Sequence, residues 1–145
     1  MEIIKVLVVD DSVTIRAMIE TLLERDEDLR VVGIARNADE ALDLIAATDP
    51  DVITLDIAMP GRNGMEILDH IMANEPRPVI MLSSLLREGD ALIDTALSHG
   101  AKACFNKTKI VQEANRLIAT IKEVAAEWAE MREAAEAAAQ DTPQD

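Results

Sequence analysis

Ile3-Ile4-Lys5-Val6-Leu7-Val8-Val9-Asp10-Asp11-Ser12 opens the chain with an almost unbroken apolar run that stops abruptly on two carboxylates. A strand with one wet face alternates polar and apolar residues, and this one does not. It reads as a strand buried on both faces, the kind found in a parallel sheet covered by helices. Working outward, Ile15, Met18, Ile19, Leu22 and Leu23 recur at three- and four-residue steps, a helix with Ser12 or Asp11 available as its cap. The same alternation then repeats. Strands are predicted at Val31–Ala35, Val52–Leu55 closing on Asp56, Val79–Leu82 ending at Ser83-Ser84, and Ala101–Asn106 reaching Lys107. Helices are predicted at Ala38–Ala47, Met65–Ala73 and Glu88–Ser98, with a last one from near Ile110. Pro50, Pro60, Gly61, Gly64, Pro76, Pro78 and the His99-Gly100 pair punctuate them. Five strand–helix units imply an α/β fold with a five-stranded parallel sheet, helices on both faces.

The polar residues fall at the strand exits: Asp10-Asp11, Asp56, Ser83 and Lys107. Singly, each is an ordinary turn, cap or surface residue. All C-terminal strand ends of a parallel sheet lie along one edge, however, and ligands bind where the strand order reverses. In the order 2-1-3-4-5, the first and third strands flank that crevice and Asp10, Asp11 and Asp56 converge. Three adjacent carboxylates repel one another and favour a cation; an all-oxygen set suits a hard ion such as Mg²⁺. One oxygen of Asp56 is then left to attack phosphorus, with Lys107 and the Ser83 hydroxyl to meet the phosphoryl oxygens.

Bulk composition agrees with this reading. The 145 residues fit one domain plus an appendage, with 49% apolar residues but one Trp, one Phe and no Tyr. A net charge of −14 disfavours nucleic acid and anionic membranes as partners. Cys104 is the sole cysteine, so no intrachain disulfide forms. The first apolar run is too short to span a bilayer, and a soluble, cytoplasmic protein is expected. His70 and His99 have no partner at ligand spacing.

These segments resemble the response-regulator receiver domain (CheY-like): Lys5–Ser12, then Asp56-Ile57-Ala58-Met59-Pro60 with Gly64, then Val79–Ser84, then Gly100-Ala101 leading to Lys107. The family is itself a reference case for the flavodoxin-like strand order. Met81-Leu82-Ser83-Ser84-Leu85 looks most like receivers attached to chemotaxis methylesterases. The resemblance implies that Asp56 is the phosphoacceptor, served by a histidine kinase or phosphotransfer protein. It further implies Mg²⁺ ligation by Asp11, Asp56 and the backbone carbonyl of Ala58, with Asp10 holding metal-bound water. Lys107 would contact the phosphoryl group and Ser83 would be the switch hydroxyl. Two positions depart from the family. Thr108 replaces the usual proline after the lysine, so a trans bond is expected there, a cis bond without proline costing about 3–4 kcal/mol. Cys104 replaces the usual Tyr or Phe, with Phe105 next door, and is expected to be a small buried filler rather than a redox sensor.

The expected organisation is a receiver at 1–121, a helical extension at 122–139 and a polar disordered tail at 140–145. Ala114, Leu117, Ile121, Val124, Trp128, Met131 and Ala135 form a heptad-like seam whose second half should lie beyond the sheet and need a cover. From Lys122 onward, seven acids against two bases leave five net negative charges. The extension folds back, pairs with a second copy or docks elsewhere; a homodimer through the last helix is the leading functional expectation, against a frayed helix without a role. With 145 residues and no output domain, the protein is expected to be a stand-alone, non-enzymatic response regulator. It would slowly lose its own phosphoryl group and act by protein contact through the fourth helix, fifth strand and fifth helix, or as a phosphate sink. The competing reading is a non-phosphorylated interaction module working through its extended helix; metal-dependent labelling separates the two. A true phosphohydrolase is disfavoured because Ala58, not an acid, stands two residues after Asp56.

Overall fold

The strands form where the sequence runs apolar on both faces, and they assemble as that pattern requires. A computed structural model describes residues 3–57, 64–84 and 91–140. The elements run β1 (Ile4–Val9), α1 (Val13–Glu24), β2 (Leu29–Ala35), α2 (Ala38–Thr48), β3 (Val52–Asp56), α3 (Gly64–Asn74), β4 (Val79–Ser83), α4 (Ala91–Ser98), β5 (Ala103–Asn106) and α5 (Ala114–Gln140). A single 3₁₀ turn, Lys107–Lys109, lies between β5 and α5. All pairings are parallel, in the order β2-β1-β3-β4-β5. This is the flavodoxin-like strand order that the sequence predicted.

Two cores sandwich the sheet. Leu7, Val9, Ile53, Leu55, Val79 and Met81 meet α2, α3 and α4 on one face. Val6, Val8, Val52, Ile80, Leu82 and Phe105 meet α1 and α5 on the other. Each strand therefore supplies both layers by simple alternation, which is why no strand shows a polar stripe.

Three boundaries differ from expectation. β2 begins at Leu29 rather than Val31, because buried Leu29 pairs with Ile4; exposed Arg30 had interrupted the apolar signal. The fourth helix is described only from Ala91, and its expected start at Glu88 lies outside the described residues. α5 starts at Ala114, not near Ile110. Asn106 caps the 3₁₀ turn by accepting from the Thr108 N–H at 2.9 Å, and Ile110 is buried as an anchor before the helix proper.

Beyond the sheet, α5 continues as a single helix. At about 1.5 Å per residue its 27 residues reach about 40 Å, well past the strands. Yet Val124 and Ala125 are buried in the same core as Val6, Leu29 and Val52. Trp128 is half-buried and lines a cavity of about 300 Å³ with Asp49, Pro50, Glu75, Pro76, Arg77 and Arg132, at the N-terminal edge of the sheet. Lys122 adds ion pairs to Asp26 (2.7 Å) and Asp28 (3.3 Å) between α1 and β2. The extension thus folds back on its own domain as far as residue 128, and the boundary expected after Ile121 falls inside packed helix. Residues 129–139 are exposed, and Gln140, expected in the tail, ends the helix.

Candidate functional site

Register alone brings the acidic residues together. Val9 of β1 lies beside Leu55 of β3, so the next residues, Asp10 and Asp56, leave neighbouring strands at the same level. One carboxylate oxygen from each of Asp10, Asp11 and Asp56 lies within 4.8 Å of the others. Asp10 and Asp56 are buried, whereas Asp11 faces solvent. Lys107 follows Asn106, which pairs with Ser83 of β4, placing the lysine two strands from Asp56. Its long side chain crosses that gap, and Nζ donates to Oδ2 of both Asp10 and Asp56 at 3.0 Å.

Burial, the largest single influence on Lys107, would push its ammonium down. The hydrogen bonds to Asp10 and Asp56 and the charges of those carboxylates together outweigh it and hold the group above its ordinary value. Lys107 is therefore a fixed positive charge among three carboxylates. Ser83 is fully buried at the exit of β4 on the same edge. Ala58 lies outside the described residues. The structure thus brings together Asp10, Asp11, Asp56 and Lys107, with Ser83 on the adjoining strand end.

Two supporting residues complete the geometry. Gly64 opens α3 against the backbone of the phosphoacceptor candidate: a Cβ there would sit 2.3 Å from the Asp56 carbonyl oxygen and 2.6 Å from Ile57 Cα. Only glycine permits that approach, and its N–H donates to the Ile57 carbonyl at 2.7 Å. Arg16 was not singled out from sequence. Its Nη1 reaches back one helical turn and donates to the Asp10 carbonyl at 2.9 Å. The only sequence signal was an arginine one turn past a serine cap.

The departures at β5 also resolve. The bond from Lys107 to Thr108 is trans, as expected, no cis bond occurring among the described residues. Cys104 is half-buried against the α2–α4 core, and burial pushes its thiol up to about 11. Phe105 points to the opposite core under the Arg116 guanidinium, 4.9 Å from the ring centroid. The neighbouring aromatic therefore cannot substitute for one at position 104, which acts as a filler.

Residues 6–122 match the family model of the response regulator receiver domain. The chain belongs to that family. Among relatives of this receiver, protein-glutamate methylesterase/protein-glutamine glutaminase 1 of Caulobacter vibrioides is 48% identical over 104 residues, 72% of this chain and 30% of the relative. The chain spans about 30% of the length of the curated relatives it matches. Among solved structures, the response regulator domain of Thermotoga maritima CheB superposes with a TM-score of 0.81 at 38% identity, covering 86% of this chain and 98% of that one. The receiver also matches a structure of the P1 domain of CheA3 in complex with CheY6 from R. sphaeroides (TM-score 0.74, 33% identity, 87% and 99% coverage). The expected likeness to methylesterase-type receivers is thus found. No helix among the described residues is long and apolar enough to cross a membrane.

Proposed function

We propose that this receiver accepts a phosphoryl group on Asp56 and works as a phosphorelay response regulator in the cytoplasm. The observation that carries the reading is the buried Asp56 carboxylate, grouped with Asp10 and Asp11 and bonded to Lys107 at 3.0 Å. An Asp56 oxygen attacks the phosphorus of a phosphohistidine; the new P–O bond forms as the P–N bond breaks, and the electron pair returns to the imidazole. Lys107 supplies positive charge to the transferred oxygens, and the Ser83 hydroxyl donates to one of them.

The anionic, all-oxygen donor set fits a hard divalent cation such as Mg²⁺. Asp11, Asp56 and the Ala58 carbonyl would hold it, with Asp10 acting through water. Bound there, it supplies further charge neutralisation to the phosphoryl group.

The phosphodonor is a histidine kinase or a histidine phosphotransfer protein. The complex of CheY6 with the P1 domain of CheA3, involving a protein 33% identical to this one, supports that class of partner. Output proceeds by protein contact or as a phosphate sink. The acyl phosphate is lost slowly by self-hydrolysis, water breaking its P–O bond to release phosphate and the Asp56 carboxylate, with no turnover of an external substrate. Self-association through α5 falls to residues 129–139, because the apolar side chains before them, Val124, Ala125 and half-buried Trp128, pack on the domain itself.

Phosphorylation by acetyl phosphate or a cognate kinase, read on phosphate-affinity gels, tests the assignment. Asp56→Asn should abolish labelling, and chelation of divalent ions should suppress it in the native protein. Undiminished labelling of the variant refutes the assignment.

A further inference from the structure

The cluster's outermost carboxylate, Asp11, is exposed, and no hydrogen bond to its side chain appears among the described residues. Its aim is therefore set by its backbone. Two peptide planes flank it, and each is held by one hydrogen bond. The plane after Asp11 is fixed by the Ser12 N–H, which donates to Asp10 Oδ1 at 2.8 Å. The plane before it carries the Asp10 carbonyl, which has passed the end of the β1 ladder. Asp10's N–H still donates to the Ala35 carbonyl at 2.9 Å, but its carbonyl receives Arg16 Nη1 at 2.9 Å. Arg16 is half-buried, and its own backbone is anchored where its N–H donates to the Ser12 carbonyl at 3.0 Å.

We infer that Arg16 is a positioning residue for cation binding: its guanidinium locks the Asp10–Asp11 peptide so that the Asp11 carboxylate points into the cluster. This deepens the phosphoacceptor reading and rests on it. The inference opposes simple electrostatics, which makes it decidable. A positive charge beside a cation site weakens the site by Coulomb repulsion, so removing it for charge reasons alone tightens binding. Losing a positioning bond instead lets Asp11 wander and weakens binding. Groups that orient metal ligands typically contribute ten- to a hundredfold in affinity, and one bond to a backbone carbonyl belongs at the low end.

The test uses the full chain and Mn²⁺, whose binding is counted directly by electron paramagnetic resonance, alongside thermal melts in EDTA. Arg16→Met should bind Mn²⁺ about tenfold more weakly than the native protein. Arg16→Lys, which keeps one donor, should lose less. A merely structural arginine would lower the melting temperature of Arg16→Met without moving its affinity. Unchanged or tighter Mn²⁺ binding by Arg16→Met overturns the inference. Should Arg16→Met not fold, Arg16→Gln, neutral and too short to reach, is judged by the same criterion. If the folded native protein binds no Mn²⁺, the metal reading fails as well, and this outcome is distinct from an Arg16 variant that binds normally.

Discussion

Replacing Asp11 by asparagine should make the metal-free protein more stable. Asp11 has an oxygen within 4.8 Å of oxygens on both Asp10 and Asp56, while Lys107 is bonded to the other two carboxylates only. At that separation each like-charge pair costs about 0.9 kcal/mol in a water-like dielectric and about 3.5 kcal/mol at an effective value of 20. Asp11 is exposed, so the lower figure is nearer, and its attraction to Lys107 offsets part of the repulsion. Removing the charge should therefore gain roughly 1–2 kcal/mol, or roughly 3–8 °C in the melting midpoint for a chain of this size. Asparagine leaves no buried group unpaired, because the side chain faces water. Asp56→Asn should gain less, since it also gives up an ion pair with Lys107. Magnesium reverses the ranking. At a hundredfold excess over its dissociation constant it adds about 2.7 kcal/mol to the native protein and should add little to Asp11→Asn. Thermal denaturation followed by circular dichroism, in EDTA and in saturating MgCl₂, reads both effects. If Asp11→Asn melts at or below the native protein in EDTA, or keeps the full magnesium shift, the electrostatic account of the cluster is wrong.

The packed end of α5 is tested by truncation after Ile121, which removes buried Val124 and Ala125 and half-buried Trp128. A loss of roughly 3–5 kcal/mol and a midpoint lower by about 10–20 °C are expected; a change under a few degrees would show that the domain does not need this segment. Thr54 Oγ1 is buried with no hydrogen-bond partner among the described residues, so Thr54→Val should stabilise by about 1–2 kcal/mol in urea denaturation, and destabilisation would point to a hidden partner. Burial raises the Cys104 thiol to about 11, so iodoacetamide should react more slowly than with free cysteine at neutral pH and accelerate only as pH approaches 11. Rapid alkylation at neutral pH would contradict the burial argument.

Much of this was legible because a doubly buried strand carries most of its polar residues where it leaves the sheet, with Thr54 in the middle of β3 an exception. Asp10, Asp56, Ser83 and Lys107 were found at the exits of the apolar runs, and strand order made them neighbours. The same logic failed where a signal was interrupted or local. Arg30 hid the start of β2, and the Asn106 side chain, by capping a 3₁₀ turn, delayed α5. Arg16 acts on a backbone carbonyl, a contact no residue pattern encodes. The seam through Trp128 was visible as apolar periodicity, but periodicity cannot say whose surface covers it. The answer lay in Asp49, Glu75 and Arg77, distant in sequence and joined by the Arg77–Asp49 bond of 3.0 Å and the Arg77–Glu75 pair of 3.5 Å.

The three carboxylates are not equivalent, and the difference orders their roles. Asp10 is committed to structure at every polar atom: its N–H donates to Ala35, its carbonyl accepts from Arg16, and its two side-chain oxygens accept from Ser12 and Lys107. Moving it to meet a cation directly would break bonds that hold the β1–α1 turn, so a water-mediated role suits it. Asp11 faces solvent, on the open side of the cluster. Asp56 ends the central strand, buried and tied to Lys107 through its carboxylate, with Gly64 packed against its backbone carbonyl. The proposed nucleophile needs that rigidity, and Asp11, though exposed, has its backbone aim held by the Arg16 bond to the Asp10 carbonyl. Substitution at Asp11 should therefore weaken cation binding while leaving the fold firmer, and substitution at Asp10 should loosen the turn itself. Asparagine at Asp56 should remove phosphoryl acceptance with the least disturbance to its surroundings.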